Sequence, residues 1–172
     1  GVIMCTVTFG LAEIYIIANG GELLPFQGML KIIGLIFLSV LASSAMVFFL
    51  VSFFSSINAF ATASTVIGTL IGFLTGIYIP IGNLPDAVQL IVKIFPVTHA
   101  GVLFRQVFME EPLGISFAGA PASATDGFKE ELGVVLTYGD YTAQTGTHIL
   151  VLIAVTILFF ALAVWNVSRK KS

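Results

Sequence analysis

The sequence predicts an all-α integral membrane protein with about four transmembrane helices, a re-entrant pair of short helices and one extracellular loop. Three observations carry this fold class. The chain is 58% hydrophobic and 9% charged, with a mean hydropathy of +1.07, whereas a soluble domain carries roughly a quarter charged residues. No charged side chain occurs between Lys31 and Asp86, a stretch too long for one span, so two spans share it. Beyond Ile79 the apolar run is broken by Pro80, Gly82, Pro85 and Pro96, which fits short helices better than another crossing.

Composition also sets limits. With 172 residues the chain affords a few spans but not a large soluble domain besides. A net charge of -2 and the lack of a basic patch argue against nucleic acid. Cys5 is the single cysteine, so there is neither a disulfide framework nor a thiolate metal site. Gly1 opens directly into apolar sequence, which reads as a cut through a longer protein and not as a signal peptide.

Residues 1–112 are predicted to hold the first spans and the re-entrant pair. Gly1 to Ala18 reads as the end of a span. Glu13 lies within it, and an intramembrane acid is a functional candidate by default; its place beside Tyr15 and Asn19 favours instead a hydrated carboxylate near the outer interface. The Gly-rich stretch 19–28 is a short turn. A second span runs from Met29 to about Phe54, with Lys31 placed to snorkel, and Ser39, Ser43 and Ser44 suited to contact between helices. The next turn falls within Ser52 to Asn58, where Ser52, Ser55, Ser56 and Asn58 cluster.

From Ile57 to Ile79 the side chains are uncharged. At 1.5 Å per residue this run covers roughly 34 Å, enough for a bilayer core of about 30 Å. Ser64, Gly68, Gly72 and Gly76 recur every fourth residue along it. Such spacing makes one helix face small enough for a second helix to approach closely. After the Pro80–Pro85 break, residues 86–95 form a new helix with Asp86, Gln89 and Lys93 on one face and apolar residues on the other. A helix of this kind lies in the interface or dips partway in. Pro96 then separates it from a second short helix, Thr98 to about Glu111, carrying His99, Arg105 and Gln106. His99 offers a proton-linked switch, but with no carboxylate or second histidine nearby in sequence, a hydrogen bond at the helix start is the preferred reading.

Residues 113–145 are the only hydrophilic region. They predict an irregular extracellular loop with a small hairpin around Gly139-Asp140. Residues 146–172 form the last span, from about Gly146 to Val167, and a basic tail, Arg169-Lys170-Lys171. That cluster predicts a cytoplasmic C-terminus. No phosphate-binding G-x-x-x-x-G-K-[ST] loop, H-E-x-x-H or G-x-S-x-G motif occurs, and the spans hold no carboxylate pair. Energy for any active transport must therefore come from a partner or an ion gradient.

The order Gly76-Ile77-Tyr78-Ile79-Pro80, then Asn83-Leu84-Pro85, then an amphipathic helix, then Phe95-Pro96-Val97-Thr98-His99 resembles the type-2 ATP-binding-cassette exporter permease family. The resemblance covers about residues 30–112 and the last span. It implies that this chain is the C-terminal part of a permease, spans three to six, with Tyr78, Pro80, Pro85, Pro96 and His99 in a re-entrant gate. It further implies a second permease copy, identical or not, and a separate ATPase that binds ATP and Mg, with no cofactor in this chain. The engaging segment would precede Gly1. The expected cargo is an amphipathic compound (drug, lipid, peptide or glycan) exported across the plasma membrane, as in multidrug resistance. Two other classes compete. An ion- or proton-coupled carrier or channel fragment calls for charges at the membrane midplane. A non-transporting scaffold or immunity protein leaves the re-entrant pair unexplained.

Overall fold

The computed structural model describes residues 1–54 and 56–169. Seven helices and one hairpin follow in order: α1 (Val2–Ala18), α2 (Phe26–Val51), α3 (Ile57–Leu74), a single 3₁₀ turn (Ile81–Asn83), α4 (Asp86–Ile94), α5 (Pro96–Ser116), α6 (Ala122–Glu131), β1 (Thr137–Tyr138), β2 (Tyr141–Thr142) and α7 (Thr145–Arg169). Three of them, α2, α3 and α7, are long and apolar enough to cross a membrane, and a fourth span results if the bent pair α4–α5 is counted as one. α1, with 17 residues, is shorter. Lys170, Lys171 and Ser172 of the basic tail, and Ser55 of the predicted turn, lie outside the described residues.

The bundle is built on α2 and α7, which run side by side in the same direction. Leu35 and Leu152 share a buried cluster near their starts. Towards their ends Phe49 meets Phe159 at 5.3 Å between ring centroids, and Asn166 Nδ2 donates to Ser52 Oγ at 2.7 Å. α5 lies against both. Its Ala100 and Leu103 join Ile32, Leu35, Ile36 and Ala42 of α2 in the main core, while its Val102 faces a second core with Ile81, Val92 and Leu136. Most other apolar side chains on α2, α3 and α7 point outward. In water such a surface would aggregate; in lipid it is the solvent-facing side.

Two segments depart from the sequence-based expectation. The second short helix continues past Glu111 to Ser116, with Pro112 inside it. Pro112 removes a backbone bond only near an exposed end, and burial of Leu113 one residue on favours continued winding over a break. Residues 113–145 are also less irregular than expected, because α6 forms within them. Pro121 precedes its first turn, and Phe128 packs on Phe117 at 5.0 Å. Gly127 and the scattered polar residues of ASATDGFKEE hide that helix from a periodicity reading. The hairpin is where expected: Thr137 pairs with Thr142 and Tyr138 with Tyr141, around Gly139 at φ +62°.

Candidate gate formed by the bent helix pair

α4 and α5 meet at 85°, with one residue, Phe95, between them. The cause is local. Pro96 has no N–H and restricts the residue before it to extended backbone, and Phe95 sits at φ −74°, ψ 126°. Pro96 itself occupies the first turn of α5, where its missing donor costs nothing. Pro80 and Pro85 stand one position earlier, each being itself the extended residue immediately before the 3₁₀ turn and before α4. The predicted breaks are thus all present.

The small-residue face is corrected. Ser64, Gly68 and Gly72 lie on α3, but Gly76 does not, since the helix ends at Leu74. Gly76 adopts φ +71° in a left-handed cap: its N–H donates to the Phe73 carbonyl at 3.1 Å and the N–H of Ile77 to that of Gly72 at 3.0 Å. The chain then doubles back and lays Tyr78 over α3, edge-on to Phe73 at 4.9 Å. A Cβ at Gly72 would collide with the Tyr78 ring. Gly72 therefore makes room for this returning aromatic side chain and not for a second helix, while Gly68 faces open space among the described residues.

α5 holds the end of α3 from the other side. Thr98 Oγ1 donates to the Leu74 carbonyl at 2.8 Å and Arg105 Nη2 to the Thr75 carbonyl at 2.6 Å. These carbonyls are acceptors left unpaired at a helix C-terminus, where a cation also meets the negative end of the dipole. Gln89 of α4 reaches back to the carbonyls of Leu84 at 2.9 Å and Gly82 at 3.4 Å, so this residue of the polar face fastens the turn before the helix. Its Leu90, Ile91 and Ile94 are exposed, the orientation expected of a helix seated in a membrane interface.

His99 finds a partner that its sequence neighbourhood does not reveal. Its Nδ1 lies 2.7 Å from Nδ1 of His148 on α7, both rings being buried. One of the two nitrogens carries the hydrogen and the other accepts it, so the pair ties α5 to the last span. Gln106 adds a second tie, donating to the Val134 carbonyl at 3.1 Å and accepting from Thr145 Oγ1 at 2.9 Å. Tyr138 on the hairpin donates to the Lys93 carbonyl at 2.6 Å, and burial raises its phenol above the usual range, which keeps that donor protonated. Glu13 belongs elsewhere. It is buried, and its Oε2 accepts the Leu24 N–H at 3.1 Å. The turn after Ala18, with Gly20 at φ +82°, brings that N–H back to it, so Glu13 fastens a turn.

The structure thus brings Tyr78, Pro80, Pro85, Pro96 and His99 into one assembly at one end of the bundle, and leaves Glu13, Ser64 and Gly68 out of it. Thr98, Gln89, Arg105 and His148 are the contacts the sequence did not assign. The polar residues of α5 were visible, but their partners stand 24 to 49 residues away.

A family model described as ABC-2 family transporter protein matches residues 1–165. The chain belongs to the ABC-2 transporter family. No curated protein and no solved structure gives a significant match. The family places this multi-pass membrane chain in the permease part of an ABC transporter, a component that carries transport and not catalysis. Within this ABC-2 membrane domain, the Pro-separated helices α4 and α5 form a pair bent by 85°, the geometry of a broken span or of a re-entrant loop.

Proposed function

We propose that this chain is the C-terminal part of a permease subunit of an ATP-binding-cassette exporter in the plasma membrane. It lines the path of an amphipathic compound and is powered by a separate ATPase that binds ATP and Mg. A second permease copy completes the path, and Gly68, facing open space on α3, leaves room for close approach there. The Arg169-Lys170-Lys171 cluster supports a cytoplasmic C-terminus, which puts the α4–α5 pair at the external end. The observation that carries the reading is the fastening of this pair. α5 caps α3 through Thr98 and Arg105 and is tied to α7 through His99, so movement of either span reaches the gate.

The test is substrate efflux from proteoliposomes holding the full-length permease and its ATPase, beside nucleotide affinity of the same preparation. Pro96→Ala permits α4 and α5 to straighten, so efflux should fall while ATP affinity stays. Unchanged efflux would sink the gate. ATP hydrolysis by residues 1–172 alone would sink the permease assignment.

A further inference from the structure

A cleft of about 920 Å³ lies between α2, α5, α6 and α7, at the upper end of the volumes that hold small ligands. One wall is apolar, made by Leu35, Leu38 and Leu103, and the rim carries Lys31, Glu110 and Lys129. Gln106 also lines it, but both ends of its amide are engaged by Val134 and Thr145. Lys31 and Glu110 stand 3.7 Å apart and largely exposed, a pair that contributes little by itself. Lys129 is half-buried and has no ion-pair partner among the described residues. The charged side chains lining the cleft are thus two lysines and one glutamate beside an apolar wall.

The way in is a notch. Gly34 lines the cleft, and a Cβ added there would meet nothing within 4 Å. It lies on the same α2 stripe as Leu30, Phe37 and Leu41, all exposed, at spacings of four, three and seven residues. Such a gap in an apolar surface would admit a ligand from the lipid side, which favours a molecule already in the bilayer as the occupant.

We propose that the cleft binds an anionic phospholipid as a resident of the membrane domain. Its phosphate sits between Lys31 and Lys129, and one acyl chain passes the Gly34 notch onto the Leu35–Leu38–Leu103 wall. Lysines bind phosphate as point charges, and the apolar wall supplies the rest by burying chain methylenes. Glu110 opposes the anion and sets an upper limit on affinity. The proposal stands apart from the transport reading, because the occupant stays in place.

The natural full-length protein, purified in neutral detergent, is titrated with phosphatidylglycerol, phosphatidylcholine and inorganic phosphate, and bound lipid is counted by native mass spectrometry. Phosphatidylglycerol is retained over phosphatidylcholine. Lys129→Gln weakens its binding by up to about fivefold, and Glu110→Gln strengthens it. Gly34→Leu fills the notch and abolishes binding with the melting temperature unchanged or raised, since its Cβ meets no atom within 4 Å and leucine is the better helix former. Equal retention of the two lipids, wild-type binding by Gly34→Leu, or inorganic phosphate binding as tightly as the lipid overturns the proposal. ATP-driven crossing of labelled phosphatidylglycerol in proteoliposomes with the ATPase makes the lipid a cargo and overturns its role as a resident.

Discussion

Arg105→Met removes the guanidinium that caps α3 while keeping an unbranched stem of similar length. Its bond to the Thr75 carbonyl is 2.6 Å long, and a hydrogen bond from a charged group contributes about 1.5–3 kcal/mol. Nη1 of the same side chain is buried without a partner among the described residues, and relieving that donor offsets about 1 kcal/mol. The net loss is therefore about 0.5–2 kcal/mol. Thr98→Val deletes the neighbouring bond at nearly constant volume. That bond is neutral, and interhelical polar contacts in membranes average about 0.6 kcal/mol, so the loss is about 0.5–1 kcal/mol and smaller than for Arg105→Met. Both side chains hold one helix end, so the double variant should lose less than the sum. For a chain of this size each kcal/mol shifts the melting temperature by about 2–4 °C. Thermal unfolding in detergent, paired with efflux, reads all three. An equal or larger loss for Thr98→Val than for Arg105→Met, or strict additivity, would refute a shared cap in which the cation dominates.

Three further predictions concern the same end of the bundle. Gly72→Leu must displace the Tyr78 ring and should cost about 1–3 kcal/mol, whereas Gly68→Leu should leave the monomer's thermal stability unchanged; a loss from Gly68→Leu in dilute monomer would contradict the open face. His148→Leu strands the buried His99 Nδ1 and should cost about 1–3 kcal/mol, part of which His99→Leu in the same chain restores; equilibrium unfolding of both variants checks the asymmetry. Ser123→Cys in a Cys5→Ser background should be labelled by an impermeant thiol reagent from outside intact cells, and labelling only after permeabilisation would invert the proposed topology.

Some elements were legible because their cause is local. An uncharged run long enough to cross a bilayer reads as a span whatever surrounds it; α2 and α7 appear within about three residues of the expected bounds, while α3 starts at Ile57 as expected and ends at Leu74, five residues short of Ile79. Prolines act on their own backbone and on the residue before them, so the breaks at Pro80, Pro85 and Pro96 could be read directly. The Gly139 turn is equally local, and β1 pairs β2 around it.

What the chain's own order did not reveal depends on contacts across it. Gly72 serves a tyrosine six residues later because Gly76 turns the backbone left-handed there; four-residue spacing alone cannot distinguish that from helix packing. Glu13 became a buried acceptor because a Gly-rich turn returned one N–H to it. His99 and His148 share a hydrogen bond only because α5 lies against α7. A polar group's role is set by which partner reaches it when water is excluded. Composition determined by itself that this chain belongs in a membrane, since apolar transfer is nearly additive over residues. Which carbonyl, ring or carboxylate each polar side chain meets was decided by the tertiary structure, because hydrogen bonds are directional and act over about 3 Å.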